Sequence, residues 1–310
     1  MISSMSIPML KVARLPPYLT LDALDTFIDR VLAEDVGPGD VTTRATVPPT
    51  TRAEARFLAK QDGVLAGLLV AERVFAAVDE ALEVAWTKAD GDVITGGALF
   101  GVVRGPARGI LTAERLALNV LQRMSGIATF TRRMVEATRP HPARILDTRK
   151  TAPGLRLLDK WAVRLGGGEN HRLGLHDMIL IKDNHIAAVG GVRAAIEAAQ
   201  RYRRDEDQNL SIEIETRTLE EVQAVVETGG VDAILLDNMV AVQPNGAIDT
   251  SLLQEAIALV DGRMATEASG NVTLATVPAI AATGVTYISC GALTHSVKAL
   301  DLSLKIELET

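Results

Sequence analysis

The chain has 310 residues, of which 47% are hydrophobic, 23% are charged and only 3% are aromatic. These proportions exclude disorder, collagen and a coiled coil as the main description of the chain. Because aromatic residues are scarce, aliphatic side chains must build the core, which favours buried parallel strands with helices over a β-sandwich. The formal net charge of −7 argues against general nucleic-acid binding, because phosphates are bound by a net basic face.

The cysteine content and the hydropathy of the sequence indicate where in the cell the protein is located. Cys290 is the single cysteine, so no intrachain disulfide can form, which fits a reducing cytoplasm. Residues 1–19 lack a continuous apolar segment, and we therefore expect no signal peptide. The sequence contains no uncharged apolar stretch long enough to span a membrane, so we expect no membrane association and predict a cytoplasmic protein.

The N-terminal part is predicted to be mixed α/β without a regular repeat. Leu21, Leu24, Ile28 and Val31 recur at helical spacing and predict a helix over 20–34. A strand, a turn at Asp62-Gly63 and a second strand are predicted within 52–67. The further predicted elements are a helix at 68–78, strands at 82–87 and 98–104, and a long helix from about Thr112 to Thr138.

After Pro142 short apolar runs alternate with amphipathic segments. This alternation predicts a parallel sheet, and six or seven such units without a dinucleotide-binding fingerprint favour a complete or partial barrel. The predicted strands are 144–147, 162–165, 178–182, 211–215, 233–237, 264–268 and 285–289. The predicted helices are 191–203, 218–228, 250–260 and 275–282, the second of them capped by Thr218 and Glu221.

Most of these predicted strands end in charged or polar residues, which in a parallel barrel would meet on one face. The cations near this face predict a pocket for a multiply anionic small molecule; they are Arg149, Lys150, Arg164, Arg172 and Lys182, with His171 beside them. Glu215 and Asp237 supply acceptors for sugar hydroxyls or for Mg²⁺, which prefers oxygen ligands. Structural ion pairing across the barrel mouth is the alternative interpretation.

Two glycine-containing turns follow the last two predicted strands. They are Ser269-Gly270-Asn271 and Ser289-Cys290-Gly291-Ala292. Small residues allow backbone N–H groups to approach a phosphate, and barrels often bind phosphate after their last strands. Zinc binding by His171 and His176 and a nucleophilic role for Cys290 are both disfavoured, since no helical metal-ligand spacing is present and a lone small side chain is more often buried.

In these motifs the chain resembles the quinolinate phosphoribosyltransferase family over nearly its whole length. The matching segments are Gly39-Asp40-Val41-Thr42-Thr43, Thr112-Ala113-Glu114-Arg115, Asp147-Thr148-Arg149-Lys150-Thr151, Gly166-Gly167-Gly168-Glu169-Asn170-His171-Arg172, Ile181-Lys182-Asp183-Asn184-His185, Glu213-Ile214-Glu215-Thr216, Leu236-Asp237-Asn238, Ser269-Gly270-Asn271 and Gly291-Ala292-Leu293-Thr294-His295-Ser296. Only Cys290 departs from the pattern, at a position where a small aliphatic residue is expected.

The resemblance implies an architecture and an assembly. It implies an N-terminal open α/β sandwich over 1–115, to which residues 294–310 return, and a catalytic partial α/β barrel of six to seven parallel strands over 116–293. It also implies a homodimer, with larger assemblies left open, in which Arg115 of one copy completes the active site of the other.

The resemblance further implies a reaction between quinolinate and phosphoribosyl pyrophosphate that gives nicotinate mononucleotide, pyrophosphate and CO₂, as a step of NAD biosynthesis. The implied quinolinate-binding residues are Arg115, Thr148, Arg149, His171, Arg172 and Lys182. The implied residues for phosphoribosyl pyrophosphate are Lys150, Glu215, Asp237, Ser269, Gly270, Asn271, Gly291, Ala292 and His295. Lys150, Lys182, Glu215 and Asp237 are the expected catalytic residues, and Mg²⁺ is the expected cofactor, held by Glu215 and Asp237 directly or through the substrate.

Three alternatives stay open at this point. The first is a related phosphoribosyltransferase that acts on another acid such as nicotinate, or a paralogue linked to molybdenum transport. The second is a non-catalytic sensor of phosphoribosyl pyrophosphate. The third is a barrel lyase that uses Lys150 or Lys182 to form a Schiff base.

Overall fold

We describe the protein from a computed structural model, and the description covers residues 15–206 and 209–308. The expectation about a signal peptide in 1–19 therefore concerns residues that mostly lie outside the described part. No helix within the described ranges is both long enough and apolar enough to cross a membrane. The chain divides into two compact units, of which unit 1 takes the described parts of 1–130, 157–166 and 297–310, and unit 2 takes 131–156 and 167–296.

Unit 1 is built on a four-stranded antiparallel sheet with the order β14-β1-β5-β3. Its elements are α1 (Leu21–Val36), α2 (Val41–Thr46), β1 (Arg52–Ala59), β2 (Gly63–Val64), α3 (Leu68–Val78), β3 (Glu83–Trp86), β4 (Val93–Ile94), β5 (Leu99–Pro106), the first part of α4 (Ala107–Ala137), most of α5 (Arg156–Leu165) and β14 (Leu302–Leu308). Alternate residues of β1 are buried, including Phe57, as a strand with one covered face requires. The ring of Phe57 contacts Phe75, Trp86 and Phe100, so the few aromatic residues concentrate in this core.

The structure confirms most elements predicted for unit 1 and changes two of them. The helix predicted over 20–34 is α1, which Thr20 caps by accepting the N–H of Ala23. The turn at Asp62-Gly63 does not join a hairpin, because β1 pairs with β5 and β14 whereas β2 pairs with β4. The long helix α4 begins at Ala107, five residues before the predicted start, since the β5 strand leads into it directly.

Unit 2 contains a six-stranded parallel sheet with the order β6-β13-β12-β9-β8-β7. Its elements are the end of α4, β6 (Arg144–Leu146), β7 (Ile179–Ile181), α6 (Asp183–Val189), α7 (Val192–Asp205), β8 (Ile212–Thr216), α8 (Leu219–Thr228), β9 (Ala233–Asp237), β10 (Ala241–Val242), β11 (Ile248–Asp249), α9 (Ser251–Val260), β12 (Ala265–Ser269), α10 (Val277–Ala281), β13 (Tyr287–Ser289) and α11 (Ala292–His295). This strand order is that of a barrel opened between β6 and β7. The predicted fold class, mixed α/β with a six-stranded parallel portion, is confirmed.

The opening beside β6 is partly filled by a single bridge between Leu146 and Glu169. The N–H of Glu169 donates to Ile145 (2.8 Å), and the N–H of Asp147 donates to Glu169 (3.2 Å). This seventh extended segment places residues 170–172 next to the end of β6. It therefore sets the position of two predicted site residues, His171 and Arg172.

The strand predicted at 162–165 is wrong, because these residues end helix α5. Leu158, Trp161 and Ala162 recur at helical spacing and are buried, and this pattern outweighs the short apolar run around Val163. The domain limits predicted at 115/116 and 293/294 stay a prediction, since units defined by contacts need not be domains that fold independently.

Candidate active site

The carboxyl ends of the six parallel strands of unit 2 carry the polar residues of the candidate site. Because the strands are parallel, their ends share one edge of the sheet, and loops and helix starts build a site there. The residues concerned are Asp147 to Lys150 after β6, Lys182 after β7, Glu213 and Glu215 in β8, Asp237 in β9, Glu267 and Ser269 in β12, and Ser289 to Ala292 at and after β13. All of them lie in unit 2.

A chain of alternating charges runs along this edge from β7 to β9. Lys182 Nζ lies 2.6 Å from Oε2 of Glu215, whose side chain is only 7% exposed. The guanidinium of Arg217 then contacts three carboxylates, with Nη1 2.9 Å from Asp183, Nη2 3.0 Å from Glu215 and Nε 3.4 Å from Asp237. Lys182, Glu215 and Asp237, which the sequence analysis selected, are therefore brought together by an arginine that it did not select.

Arg149 and Arg172 form a concentration of positive charge. Nε of Arg149 is buried and has no hydrogen-bond partner in the described part of the chain. Burial, and next the neighbouring Arg149 guanidinium, lower the pKa of Arg172 from its ordinary value, so two like charges face each other. Asp177 and Glu213 offset this effect only in part. A buried donor without a partner and a repelling cation pair are unfavourable on their own, and a bound anion would relieve both.

His171 is fixed between backbone and side-chain contacts. Its backbone N–H donates to Asp147 (2.9 Å), a carboxylate with 0% exposure. Its Nδ1 accepts the N–H of Arg172 (2.7 Å), which assigns the ring proton to Nε2. Nε2 lies 2.9 Å from Oε2 of Glu213 and donates a hydrogen bond to it, and Oε2 of Glu267 lies 3.5 Å away, so two buried carboxyl groups surround the imidazole.

Burial favours the neutral form of both Glu213 and Glu267. Burial raises the pKa of Glu213 to about 7, and burial together with the charge of Glu213 raises the pKa of Glu267 to about 8. The two carboxyl groups and the ring of His171 offer ligand atoms within 4.8 Å of one another, an arrangement that could also hold a metal ion. The proton on Nε2 and the raised pKa values instead favour a hydrogen-bonded support beneath His171 and Arg172.

The first predicted phosphate-binding turn has the backbone conformation that its sequence indicates. Gly270 has φ +89° and Asn271 has φ +53°, so the chain passes through the left-handed region at both residues. A Cβ on Gly270 would overlap Oδ1 of Asn238, whose own N–H donates to Ser269 (2.9 Å). Asn271 Nδ2 donates to Val240 (3.0 Å), which ties the turn to the segment after β9.

The second turn is covered by two of the predicted side chains. A Cβ on Gly291 would lie 3.0 Å from Cδ of Lys150 and 3.0 Å from Cδ2 of His295, so both side chains lie over this backbone. Thr294 Oγ1 donates to the carbonyl of Lys150 (2.9 Å), which joins the end of β6 to α11. Ala292 begins α11 directly after Gly291.

The remaining predicted residues are placed as follows. Thr148 Oγ1 accepts the N–H of Lys150 (3.0 Å) and shapes the turn after β6. Cys290 is buried, and burial raises the pKa of its thiol, which does not suit a nucleophile. Arg115 in α4 and Arg164 in α5 are exposed and belong to unit 1.

The sequence analysis did not assign a role to Arg217, Glu213 or Glu267. A signal for Arg217 and Glu213 is present in Glu213-Ile214-Glu215-Thr216-Arg217, where charged residues alternate with other residues at the period of a strand. Alternation predicts that the three charged side chains lie on one face of β8 and beyond its end. Glu267 carries no comparable signal, since its burial depends on strands that are distant in sequence.

Both parts of the chain match known proteins in sequence. Residues 40–125 match the family model "Quinolinate phosphoribosyl transferase, N-terminal domain", and residues 127–305 match the C-terminal domain of the same family. The chain is 54% identical over 304 residues to "Quinolinate phosphoribosyltransferase [decarboxylating] 1b" of Nicotiana tabacum, covering 96% of this chain and 86% of the relative. It is 54% identical over 300 residues to "Quinolinate phosphoribosyltransferase [decarboxylating] 2, mitochondrial" of Nicotiana glauca, covering 95% of this chain and 85% of the relative.

Solved structures give the same result. The crystal structure of NadC from Streptococcus pyogenes superposes with a TM-score of 0.86 at 40% identity, covering 94% of this chain and 99% of that one. The similarity therefore extends over both units.

Proposed function

The chain belongs to the quinolinate phosphoribosyltransferase family, and we propose that the site in unit 2 carries out the reaction of that family. This reaction is the transfer of a phosphoribosyl group to quinolinate with decarboxylation, in the biosynthesis of NAD. A bond forms between the ring nitrogen of quinolinate and C1 of the ribose while the bond from C1 to pyrophosphate breaks. The carboxylate next to the nitrogen then leaves as CO₂, and a proton replaces it.

The Arg149–Arg172 pair is the observation that carries this proposal. Quinolinate presents two adjacent carboxylates, and arginine guanidinium groups bind carboxylates through paired N–H donors. Nε of Arg149 is a buried donor with no hydrogen-bond partner in the described ranges, and the like charge of Arg149 lowers the pKa of Arg172. Binding a dianion would satisfy the donor and remove the repulsion. Thr148 and His171 would border the same pocket, and Lys182 would supply a third cation.

Glu215 and Asp237 would act on the ribose of phosphoribosyl pyrophosphate. Their carboxylates can accept hydrogen bonds from the ribose hydroxyls, and their negative charge would stabilise positive charge that develops at C1. Lys150 would neutralise the pyrophosphate as it leaves. The turns at Ser269-Gly270-Asn271 and Gly291-Ala292, with His295, would hold the 5-phosphate through backbone N–H groups. The protein thus positions and neutralises its substrates and needs no covalent nucleophile.

Mg²⁺ is the proposed cofactor, and Glu215 and Asp237 are the residues that would hold it, directly or through the substrate. Their carboxylate oxygens fit a hard cation, and Asp237 is 16% exposed at the edge of the site. When bound, Mg²⁺ would neutralise charge on the pyrophosphate leaving group. Both carboxylates contact Arg217 in the ligand-free chain.

The assembly and location are further proposals. Arg115 is exposed in α4, and its motif supports a role in completing the site of a second copy in a homodimer. A single buried cysteine supports a reducing compartment such as the cytoplasm. The name of the Nicotiana glauca relative assigns that protein to the mitochondrion, so location is to be measured by fractionation and fluorescence microscopy of the tagged full chain.

A turnover assay on the purified chain tests the proposed function. Quinolinate, phosphoribosyl pyrophosphate and Mg²⁺ are mixed, and nicotinate mononucleotide and CO₂ are measured. We expect both products in equal amounts and no turnover in the presence of a chelator. Turnover of nicotinate but not of quinolinate would contradict the proposal, as would substrate binding without any product.

A further inference from the structure

We propose that the guanidinium of Arg217 occupies the place of a metal ion in the ligand-free enzyme. It pairs with Glu215 and Asp237 at the ends of β8 and β9, and it has to move away before a divalent cation can bind to these carboxylates. This inference rests on the proposed function, because it concerns the residues proposed to hold Mg²⁺. It assigns to Arg217 the role of setting the affinity of the site for metal, and it makes this arginine a positioning residue and not a catalytic one.

The contacts of Arg217 carry the proposal. Each of its three guanidinium nitrogens faces a different carboxylate, those of Asp183 (2.9 Å), Glu215 (3.0 Å) and Asp237 (3.4 Å). Two of these three acids are the proposed metal ligands. Arg217 therefore neutralises the same oxygen atoms that a divalent cation would need.

The Arg217 side chain is accessible to solvent, so a divalent cation could replace it beside the carboxylates. The Arg217 side chain is 51% exposed, whereas that of Glu215 is 7% exposed. None of the three contacts is a bidentate pair, and an ion pair with an exposed partner contributes little net stability. Lys182 is 44% exposed and makes one shorter contact of 2.6 Å with the same carboxylate. Arg217 is the more exposed of the two cations, and its contacts with Glu215 and Asp237 are the longer ones, so we expect it to be the cation that is released.

The backbone on either side of Arg217 allows the side chain to move alone. The N–H of Arg217 donates to Glu221 (2.7 Å), and Thr218 caps α8 by accepting the N–H of Glu221 (3.2 Å). These bonds fix the main chain between β8 and α8. Release of the guanidinium therefore requires only rotation of side-chain bonds into solvent.

Metal binding without substrates tests this inference. We would titrate Mn²⁺ into the wild type and into the Arg217→Ala variant, with free Mn²⁺ measured by electron paramagnetic resonance. Removal of a cation that competes for the same oxygens should tighten Mn²⁺ binding several-fold to about tenfold at low ionic strength. Added salt should reduce the difference. The Arg217→Lys variant, which keeps one charge, should bind with intermediate affinity.

Arg203→Ala is the matched control. Arg203 is 31% exposed and pairs with Asp232 (3.0 Å), which precedes β9 and so lies at the opposite edge of the same sheet. Its removal should leave Mn²⁺ affinity unchanged, which separates a local effect from a change in overall charge.

An Arg217→Ala variant that binds Mn²⁺ no more tightly than the wild type, or binds none, would overturn the inference. If the same variant also binds metal-free inorganic pyrophosphate more than tenfold more weakly, Arg217 is a substrate-binding residue instead. Neither readout involves turnover, so failure of this inference is distinct from failure of the proposed function.

Discussion

The carboxylate of Asp159 in α5 is fully buried and accepts two hydrogen bonds of 2.8 Å from Nε and Nη2 of Arg123 in α4. A bidentate pair of this kind places a charge in the interior of unit 1 and compensates it in the same step. We therefore expect the pair to hold α5 against α4, and not to take part in catalysis.

Substitution of Arg123 measures the contribution of this pair. Arg123→Ala should lower the free energy of unfolding by about 3–5 kcal/mol, because it removes a bidentate, oppositely charged partner from a buried carboxylate. Arg104→Ala is the matched control, since Arg104 pairs with Glu54 at 45% and 21% exposure, and its loss should cost about 1 kcal/mol or less. Urea unfolding followed by circular dichroism gives both values, and equal losses would contradict the assignment.

Gly270 provides a test of the first phosphate-binding turn. Gly270→Ala would strain a backbone at φ +89° and force the new Cβ against Asn238, so we expect KM for phosphoribosyl pyrophosphate to rise at least tenfold. Gly246→Ala is the control, because Gly246 has φ +83° but no atom within 4 Å of a Cβ. It should cost about 1–2 kcal/mol of stability from backbone strain and leave KM unchanged. A similar rise in KM for both variants would show that strain alone, and not the turn, is responsible.

Much of the fold could be predicted because local pattern and tertiary packing agree. The apolar stripe of α1 and the strands around Ile234 and Ile288 are examples, and so is the cap at Thr218. The prediction was wrong at 162–165, where a three-residue apolar run looks the same in a strand and in a helix end. The pairing of β2 with β4 could not be predicted either, since nothing local to Gly63 specifies that partner.

Some residues of the candidate site could be predicted from the sequence and others could not. Cations and carboxylates at strand ends could be selected because the topology of a parallel sheet brings such ends together. The buried support of His171 could be predicted only in part. Glu213 alternates with Glu215 and Arg217, but Glu267 looks like an ordinary strand residue until β8 and β12 are placed in one sheet. Arg217 continues the alternation of Glu213 and Glu215, but it was not selected because an arginine after a strand is usually solvated. The three acids around it indicate another role.

Substitution of Arg149 tests whether this arginine serves substrate binding or the stability of the fold. Arg149→Ala should lower kcat/KM for quinolinate about 100-fold or more, the scale of losing a charged hydrogen-bonding partner. In the ligand-free protein the same variant should not lower Tm, because it removes a charge that lowers the pKa of Arg172. Arg193→Ala, at an exposed position in α7, should leave both quantities unchanged. A lowered Tm with near-normal kinetics would instead assign Arg149 to the fold.

The Glu213–Glu267 pair predicts how stability depends on pH. Burial and the neighbouring charge raise the pKa of Glu267 from 4.5 to about 8, so the folded state binds a proton that the unfolded state releases above about pH 4.5. The stability contributed by that proton is fully present below pH 4.5 and is lost as the pH rises towards 8. Glu267→Gln keeps a neutral group of the same shape and removes this loss.

We therefore expect the wild type to lose stability relative to Glu267→Gln by up to about 1.4 kcal/mol per pH unit over this range. Urea unfolding at pH 5, 7 and 9 measures the difference. Glu255→Gln, at an exposed position in α9, is the matched control and should follow the wild type at each pH. Parallel curves for the wild type and Glu267→Gln would mean that Glu267 is already ionised in the folded chain. The neutral Glu267 proposed beneath His171 would then be wrong.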